Sequence, residues 1–500
     1  MFKRKHHSTD SSEEEEVKRR KREKKQRLIQ DLQRQREFFL PWCQRYEQVV
    51  EESYSNFVLQ QKDDITSALH GRIQWAFETL RDHGYLYQDR VKINKKTITT
   101  PVSRTLIGEP GLTYKYLNLR LFTLPWSFAG RPPSNDIEEA CSVFRELNNY
   151  FCEQSKLLMV KKLAGRSRSE QTVEQETEDL VAGENNNYTD MSTASGKSTQ
   201  EEDDNNVIER NSNFNITLLN YMDPSDVYLK DEPYYGMGRL AVSWHSDENL
   251  LEGSTVAVYN HTCYSARPEQ DEDWKVGLKV AWNTEIPAIL TPVCDGQCYY
   301  MLDTMNDTHL HCVLAGSTPR FSSTHRLTKC TSLSDIQKKS QRALENLNKN
   351  ENGCVSLMSL DLGVIQFSEE IHDEVEFEWL RQFWMQGAKH SQEREYWIQP
   401  MEELESQWRQ MELMTKLTVN AAMEEKNKSL IQKLLCIFTK RQSLRDHWMN
   451  RFSGRDICQI PSEHTPDYRP YWTDRDDTYP LPFDLADIMQ QLESIEEEPY

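Results

Sequence analysis

Residues 311–326 read HCVLAGSTPRFSSTHR. An apolar run, CVLAG, is followed by a turn and then by RFSSTHR, which carries Arg320, Ser322, Thr324 and Arg326 at successive i+2 positions. In a strand such positions share one face. Arg, Ser, Thr and Arg on a single side make a poor apolar core. Two guanidiniums there suit an anion, which arginine grips through paired charge-assisted hydrogen bonds. The plainer alternative, a salt-bridged edge strand, does not account for the two hydroxyls between the arginines.

The surroundings of this stretch are β. NITLLNYM, GRLAVSWH, STVAVYN, KVGLKVAW, CYYML, HCVLAG and RFSSTHRL follow one another between 213 and 327, separated by turn residues. Many short strands without alternating helices predict a sandwich or jelly roll. From 331 the period changes. Ile371, Val375, Trp379 and Phe383 lie four apart, Leu404, Trp408 and Met411 repeat at helical spacing, and so do Leu434, Ile437, Leu444 and Trp448. This predicts a bundle of about three long helices, its Trp and Met stripes being core packing and not a cofactor box.

Between 39 and 160 helix and strand signals mix. Ile65, Leu69, Ile73, Phe77 and Leu80 form an amphipathic stripe with Gly84 as a stop. TTPVSRTLIGEPGLTYKYLNLRLFTLPW reads as strands split by Pro and Gly, and DIEEACSVFRELNNYFCEQSKLLMVKKL as a helix. Residues 165–212 lack hydrophobic periodicity and read as a disordered acidic insertion. Residues 1–38 pair an acidic knot with VKRRKREKKQR, a run that reads as a nuclear localisation signal or nucleic-acid arm. The predicted organisation is a tail at 1–38, a β-rich catalytic domain at 39–330 and a helical domain at 331–500.

The net charge of −20 argues against a uniformly basic nucleic-acid binder, but much of the acidic excess sits in 165–212 and the C-terminal tail, so a local basic groove is not excluded. The 11 cysteines form no CxxC pair, which disfavours zinc and fits reduced thiols. No apolar run reaches membrane-spanning length.

AVSWHSDENL, residues 241–250, places His245 and Asp247 two apart. Alone, HxD is a common pair at a strand end. THLHCVLAG adds His309 and His311 downstream. Two histidines and a carboxylate on a β scaffold describe the facial triad of non-haem iron(II) oxygenases. His311 precedes the apolar strand and is the third candidate; His309, on the same face if the strand is regular, competes with it.

HxD, a distal His and R-x-S-x-T-x-R together resemble the AlkB-type Fe(II)/2-oxoglutarate oxygenases. TPVSRTLIGEPGLTYKYLN, YYGMGRLAVSWHSDEN, HCVLAGSTPRFSSTHR, EVEFEWLRQFW and LPFDL are similar, over about residues 40–500, to a member that removes N6-methyl groups from adenine in RNA. The resemblance implies an α+β chain: a double-stranded β-helix (jelly-roll) catalytic domain with flanking helices, plus a C-terminal α-helical bundle. It implies His245, Asp247 and His311 as iron ligands. Asn220, Tyr299, Arg320, Ser322 and Arg326 would hold 2-oxoglutarate. Arg104 and Glu248 would hydrogen-bond the base, Tyr116, Leu117 and Val242 would sandwich it, and Tyr114 and Ser243 would lie nearby. The implied cofactors are Fe(II), 2-oxoglutarate as co-substrate and O2, with ascorbate stimulatory. The implied partner is single-stranded RNA (mRNA, small nuclear RNA or tRNA), or else single-stranded DNA, with no membrane. A monomer is expected, a dimer being the alternative, in the nucleus with a cytoplasmic pool.

The residues add detail to these roles. Glu248 follows Asp247 directly and reaches the same side only if the strand ends or bends there. Arg104 has the simpler reading of a salt bridge within its own segment. Ser246 stands where the family often has a second His, a position not expected to ligate. Two other functions compete: an oxygenase of the same chemistry acting on protein side chains, and a non-enzymatic scaffold whose helical domain binds partners.

Overall fold

In a computed structural model the described residues are 44–93, 96–128, 130–181, 205–263, 272–281, 283, 285–350, 354–386, 396–452 and 481–497, with Arg27, Phe39–Leu40 and Pro470. The predicted tail at 1–38 therefore lies almost wholly outside them. The chain divides into two compact units: residues 1–77, 101–103 and 146–327, and residues 78–100, 104–145 and 328–500.

The first unit is built on strands β1 (Phe57–Gln60), β2 (Ile216–Met222), β3 (Arg239–His245), β4 (Val256–Thr262), β5 (Lys275–Val280), β6 (Ala288–Pro292), β7 (Cys298–Met301), β8 (His309–Leu314) and β9 (Arg320–Arg326). One sheet runs Phe39–Leu40, β6, β5, β8, β3, Lys230–Asp231. Another carries β1, β7, β4, β9 and β2 in that order. From β3 to β9 the chain passes repeatedly between the two sheets, the path of a jelly roll. Met222 of one sheet and Ala241 and Val313 of the other share a buried cluster with Val102 and Trp274.

The second unit joins two parts of the sequence. A hairpin of Thr113–Tyr116 and Leu119–Phe122 turns at Leu117 and Asn118, both at positive φ. Phe122 meets Trp379, Phe383 and Trp397 edge-on, Trp397 Nε1 donates to Thr123 O at 2.8 Å, and Gln386 Nε2 donates to Arg120 O at 2.7 Å. Residues 78–100 and 104–145, which lie within the 39–330 domain read from sequence, thus group with the C-terminal helices in one compact unit, and the hairpin packs on those helices. The aromatic stripe of those helices buries against this hairpin.

The helices of that unit are Leu333–Leu344, Leu362–Asp373, the π-helical Glu374–Leu380, Arg381–Gln386, Ile398–Glu424, Lys428–Phe452 and Ala486–Glu496. Among the described residues two of these are long, where about three were predicted. The Ile371–Phe383 stripe is buried, but it runs through three consecutive pieces. A second departure is the helix Asp136–Val181, which continues into the segment read as a disordered insertion, while residues 205–211 are helical too. Its Gln, Glu and Arg residues favour helix even without an apolar stripe. Residues 182–204 lie outside the described residues.

Inside the helical unit a charged network is fully buried. Arg441 donates to Asp373 at 2.7 Å and to Glu369 at 2.6 Å. Arg381 donates to Glu376 at 2.8 Å, Arg445 reaches Glu376 and Glu412, and His372 Nε2 lies 2.5 Å from Glu412 Oε1. Lys440 approaches Asp373 from the rim. Burial opposes a charge on His372 and Arg441 repels it, but Glu412 and Asp373 outweigh both and hold its pKa above the ordinary value. The same network holds Glu376 down at about 2, despite burial, through Arg445 and Arg381.

Breaking one partner of such a pair strands the other charge, so Glu376→Gln is expected to cost about 3–5 kcal/mol in denaturant unfolding of this unit; a loss below about 1 kcal/mol contradicts the network's role. His372 adds a pH dependence. Its folded pKa is raised, so its stabilisation is complete below the unfolded value of about 6.5 and is lost as pH rises through the folded value. The stability gap between wild type and His372→Asn should shrink over that range. A gap independent of pH contradicts it.

Candidate metal centre

β3 and β8 are antiparallel neighbours with His245 opposite His311. The pairing is irregular twice: between Leu240 and Val242, and between Val242 and His245, β3 uses one residue more than β8. An extra residue reverses the alternation of faces, a device common beside active sites. Val242 and His245, three apart, therefore share a face with Val313 and His311. Trp244 turns to the opposite face, where it packs with Cys312. Gly277 of β5 is required there, since a Cβ would lie 2.7 Å from Cys312 Sγ and 3.1 Å from the Trp244 ring.

The strand ends at His245, so Asp247 and Glu248 lie on the loop beyond it, and Asn249 takes positive φ. His245, Asp247 and His311 each offer a donor atom, all within 4.8 Å of one another. The imidazole rings stand 4.2 Å apart, and His245 Nε2 lies 3.7 Å from Asp247 Oδ1. His245 Nδ1 is 2.8 Å from Ser243 O, which fixes that nitrogen as the protonated one and frees Nε2 as a ligand. Burial, with a smaller push from His245, lowers the His311 pKa to about 3, so it is the neutral imidazole a metal needs. His309 is turned away, with Nε2 at 3.0 Å from Ser53 O and Nδ1 at 2.8 Å from Thr308 Oγ1. Of the two candidate histidines, the structure brings His311 to the cluster.

Arg326, at the end of β9, forks onto Asp247: Nε to Oδ2 at 3.0 Å and a terminal nitrogen to Oδ1 at 2.6 Å. Burial pushes the Asp247 carboxyl up, but Arg326 and the two histidines outweigh it and hold it below the usual range. The donor set is thus two imidazoles, the buried one of His311 neutral, and one ionised carboxylate on a β scaffold, which fits an iron(II) facial triad.

The predicted anion residues fall on one sheet face. Ser322 pairs with Asn220 on one side and Asn260 on the other, Arg320 pairs with Met222 and Thr262, and Thr324 pairs with Val258, itself opposite Tyr299. Directly paired residues point the same way, so Asn220, Tyr299, Arg320, Ser322 and Arg326 line one side together. Asn220 Nδ2 donates to Ser322 Oγ at 3.4 Å. Arg320 is buried, donates to Asn260 Oδ1 from Nε at 2.9 Å, and lies 5.3 Å from the Trp274 ring centroid. Burial lowers its pKa to about 10 and raises that of Tyr299 to about 12. Sequence reasoning missed Asn260 and Trp274; a polar residue closing the apolar run STVAVYN was the only signal.

The residues carried over for base binding fall in both units. In the first, Val242 is half-buried, and Ser243 and Glu248 are exposed. Because the strand stops at His245, the alternation that sent Glu248 to the far side does not apply. In the second, the Tyr114 and Tyr116 rings are stacked 6.5 Å apart at 8°, Arg104 lies over Tyr116 at 4.8 Å, and the Tyr116 hydroxyl donates to Asp89. Leu117 sits exposed at the hairpin turn, with φ 46°.

A second group, His372, Glu376 and Glu412, also has donor atoms within 4.8 Å of one another. Its carboxylates are already neutralised by Arg381 and Arg445, and its imidazole favours the protonated form. It does not suit a cation.

Residues 44–329 match the family model described as FTO catalytic domain, and residues 332–494 match that of FTO C-terminal domain. Over 463 residues the chain is 40% identical to a Xenopus laevis protein named alpha-ketoglutarate-dependent dioxygenase FTO, covering 89% of this chain and 90% of that one. Among solved structures it is similar to OsALKBH1 (TM-score 0.28, 10% identity, 54% of this chain and 96% of that one). It is also similar to a 2OG-Fe(II) oxygenase family oxidoreductase from Burkholderia pseudomallei (TM-score 0.27, 9% identity, 59% and 96%).

The two ends of the triad should respond differently to truncation. Asp247→Ala leaves Arg326 buried without its carboxylate and is expected to destabilise the metal-free protein by about 3–5 kcal/mol. His245→Ala, at a partly exposed position, should cost less than about 1 kcal/mol. Equal losses in denaturant titrations would contradict the asymmetry.

Proposed function

The chain belongs to the FTO family, and on that premise we propose that it is an Fe(II)- and 2-oxoglutarate-dependent dioxygenase that removes N6-methyl groups from adenine in RNA. The observation that carries the proposal is the convergence of His245, Asp247 and His311 on the scaffold that also buries Arg320. When bound, iron(II) with 2-oxoglutarate supplies an O2-dependent oxidation that releases the methyl carbon as formaldehyde, with succinate and CO2 as co-products. Ascorbate would act by keeping the metal reduced.

The chain's residues bind and orient. Arg320, held by Asn260 and backed by Trp274, supplies the buried cation for the far carboxylate of 2-oxoglutarate, with Asn220, Tyr299 and Ser322 beside it. Arg326 keeps Asp247 ionised. Asp89 and Arg104 hold the Tyr116 ring, whose flat face suits stacking on a base from a single strand. In the second unit Arg104 has the polarity to read a base edge, with Tyr114 and Leu117 supplying shape; in the first, Glu248 has such polarity, with Val242 and Ser243 supplying shape. A single-stranded RNA partner and a nuclear location remain part of this proposal, supported by the family and by the basic run VKRRKREKKQR.

The test is nucleoside mass spectrometry after incubation with Fe(II) and 2-oxoglutarate. N6-methyladenosine in RNA should fall, while a methylated single-stranded DNA and a methyl-lysine peptide in parallel reactions change less. Preferential oxidation of the peptide would instead establish a protein oxygenase. Arg320→Ala should raise the 2-oxoglutarate concentration for half-maximal turnover on the order of 10- to 100-fold; an unchanged value refutes the role given to Arg320.

A further inference from the structure

The loop that carries Asp247 and Glu248 leaves the sheet at a defined point. Had the β3–β8 ladder continued past His245 and His311, Asp247 would lie opposite His309. Instead β8 at His309 pairs only on its other side, with Val280 of β5. The backbone of Asp247 has no strand partner there, yet it is buried. Its groups are met by one side chain. Asn306 Oδ1 accepts from the Asp247 N–H at 2.8 Å, and Asn306 Nδ2 donates to the Asp247 carbonyl at 3.0 Å.

This is the bond pair that a neighbouring strand would make, supplied by an amide side chain. Clamping both the N–H and the C=O of one residue fixes its φ and ψ together. For Asp247 those angles decide where the carboxylate points, and the clamped carbonyl belongs to the peptide that starts Glu248. Asn306 is itself held: it is buried in the short helix Met305–Thr308, which leads directly into the strand bearing His311. The far end of the loop is tied separately. Gly253 N donates to Asp307 Oδ2 at 3.1 Å, and Asn211 Nδ2 donates to Gly253 O at 3.0 Å.

We propose that Asn306 is a positioning residue for the metal centre, a side-chain surrogate for a missing strand that locks Asp247 in register with His311. The inference rests on the reading of His245, Asp247 and His311 as metal ligands. It assigns to Asn306 a task that Asn211 and Asp307, anchors of the same loop, do not share.

The probe is Mn(II), titrated into the full chain without turnover. Asn306→Ala should weaken Mn(II) binding on the order of 10- to 100-fold, the usual cost of losing a group that orients a ligand. Asn306→Leu, close in size but without hydrogen bonds, should do the same while preserving the packed volume. Asn211→Ala, which loosens the far end of the loop, should leave binding unchanged. Equal weakening by Asn211→Ala, or full affinity in either Asn306 variant, overturns the inference. If His245→Ala binds Mn(II) as tightly as wild type, the metal reading itself fails and the role of Asn306 falls with it. Hydrogen exchange on the wild-type protein needs no variant: the Asp247 amide should be protected although it lies outside both sheets. Exchange at the rate of an exposed amide also overturns the clamp.

Discussion

The buried ion pair between Arg326 and Asp247 is the constraint on which the site depends. Asp247 comes from the loop after a strand of one sheet, Arg326 from the end of a strand in the other, so their fork ties the two layers at the point where the histidines converge. An unpartnered carboxylate in that interior would take up a proton and lose its value as a ligand. Arg326 keeps it charged and, by engaging both oxygens, sets its plane. The cost is desolvation of both groups, which such pairs recover only with good geometry; the bidentate arrangement provides it.

Comparison of the two histidine–carboxylate clusters among the described residues shows what separates a metal site from an ion network. At the centre in the jelly roll, one carboxylate meets one guanidinium and the buried His311 imidazole stays neutral, so lone pairs are left for a cation. In the helical unit four carboxylates, Glu369, Asp373, Glu376 and Glu412, meet Arg381, Arg441, Arg445 and a His372 that favours its charged form. Similar residue types at similar distances thus serve opposite ends. The arginine count distinguishes them better than proximity does.

Much of this was legible in the sequence, and the reasons are physical. The period of two in RFSSTHR places Arg320, Ser322 and Arg326 on one face because β9 is central and regular, paired along its whole length on both sides. Strand runs and the change of period after 331 were visible because burial imposes them. His245 and Asp247, two apart in sequence, do come together, but not through a period of two. Two register shifts and the end of the strand, not alternation, bring them together. Bulges leave no mark in an alternating apolar pattern. Nor did the sequence show that the hairpin at 113–122 packs on the C-terminal helices, since an aromatic stripe says that it is buried but not against what. Asn260 and Asn306, ordinary polar residues, acquire meaning only from the backbone and side-chain groups that the fold sets opposite them.

The proposed function rests on a divalent metal held by His245, Asp247 and His311. Anomalous diffraction from crystals grown with Mn(II) and 2-oxoglutarate locates that metal directly. A single anomalous peak is expected among these three side chains, with the far carboxylate of 2-oxoglutarate on Arg320. A peak at His372, Glu376 and Glu412, or none beside His311, would contradict it.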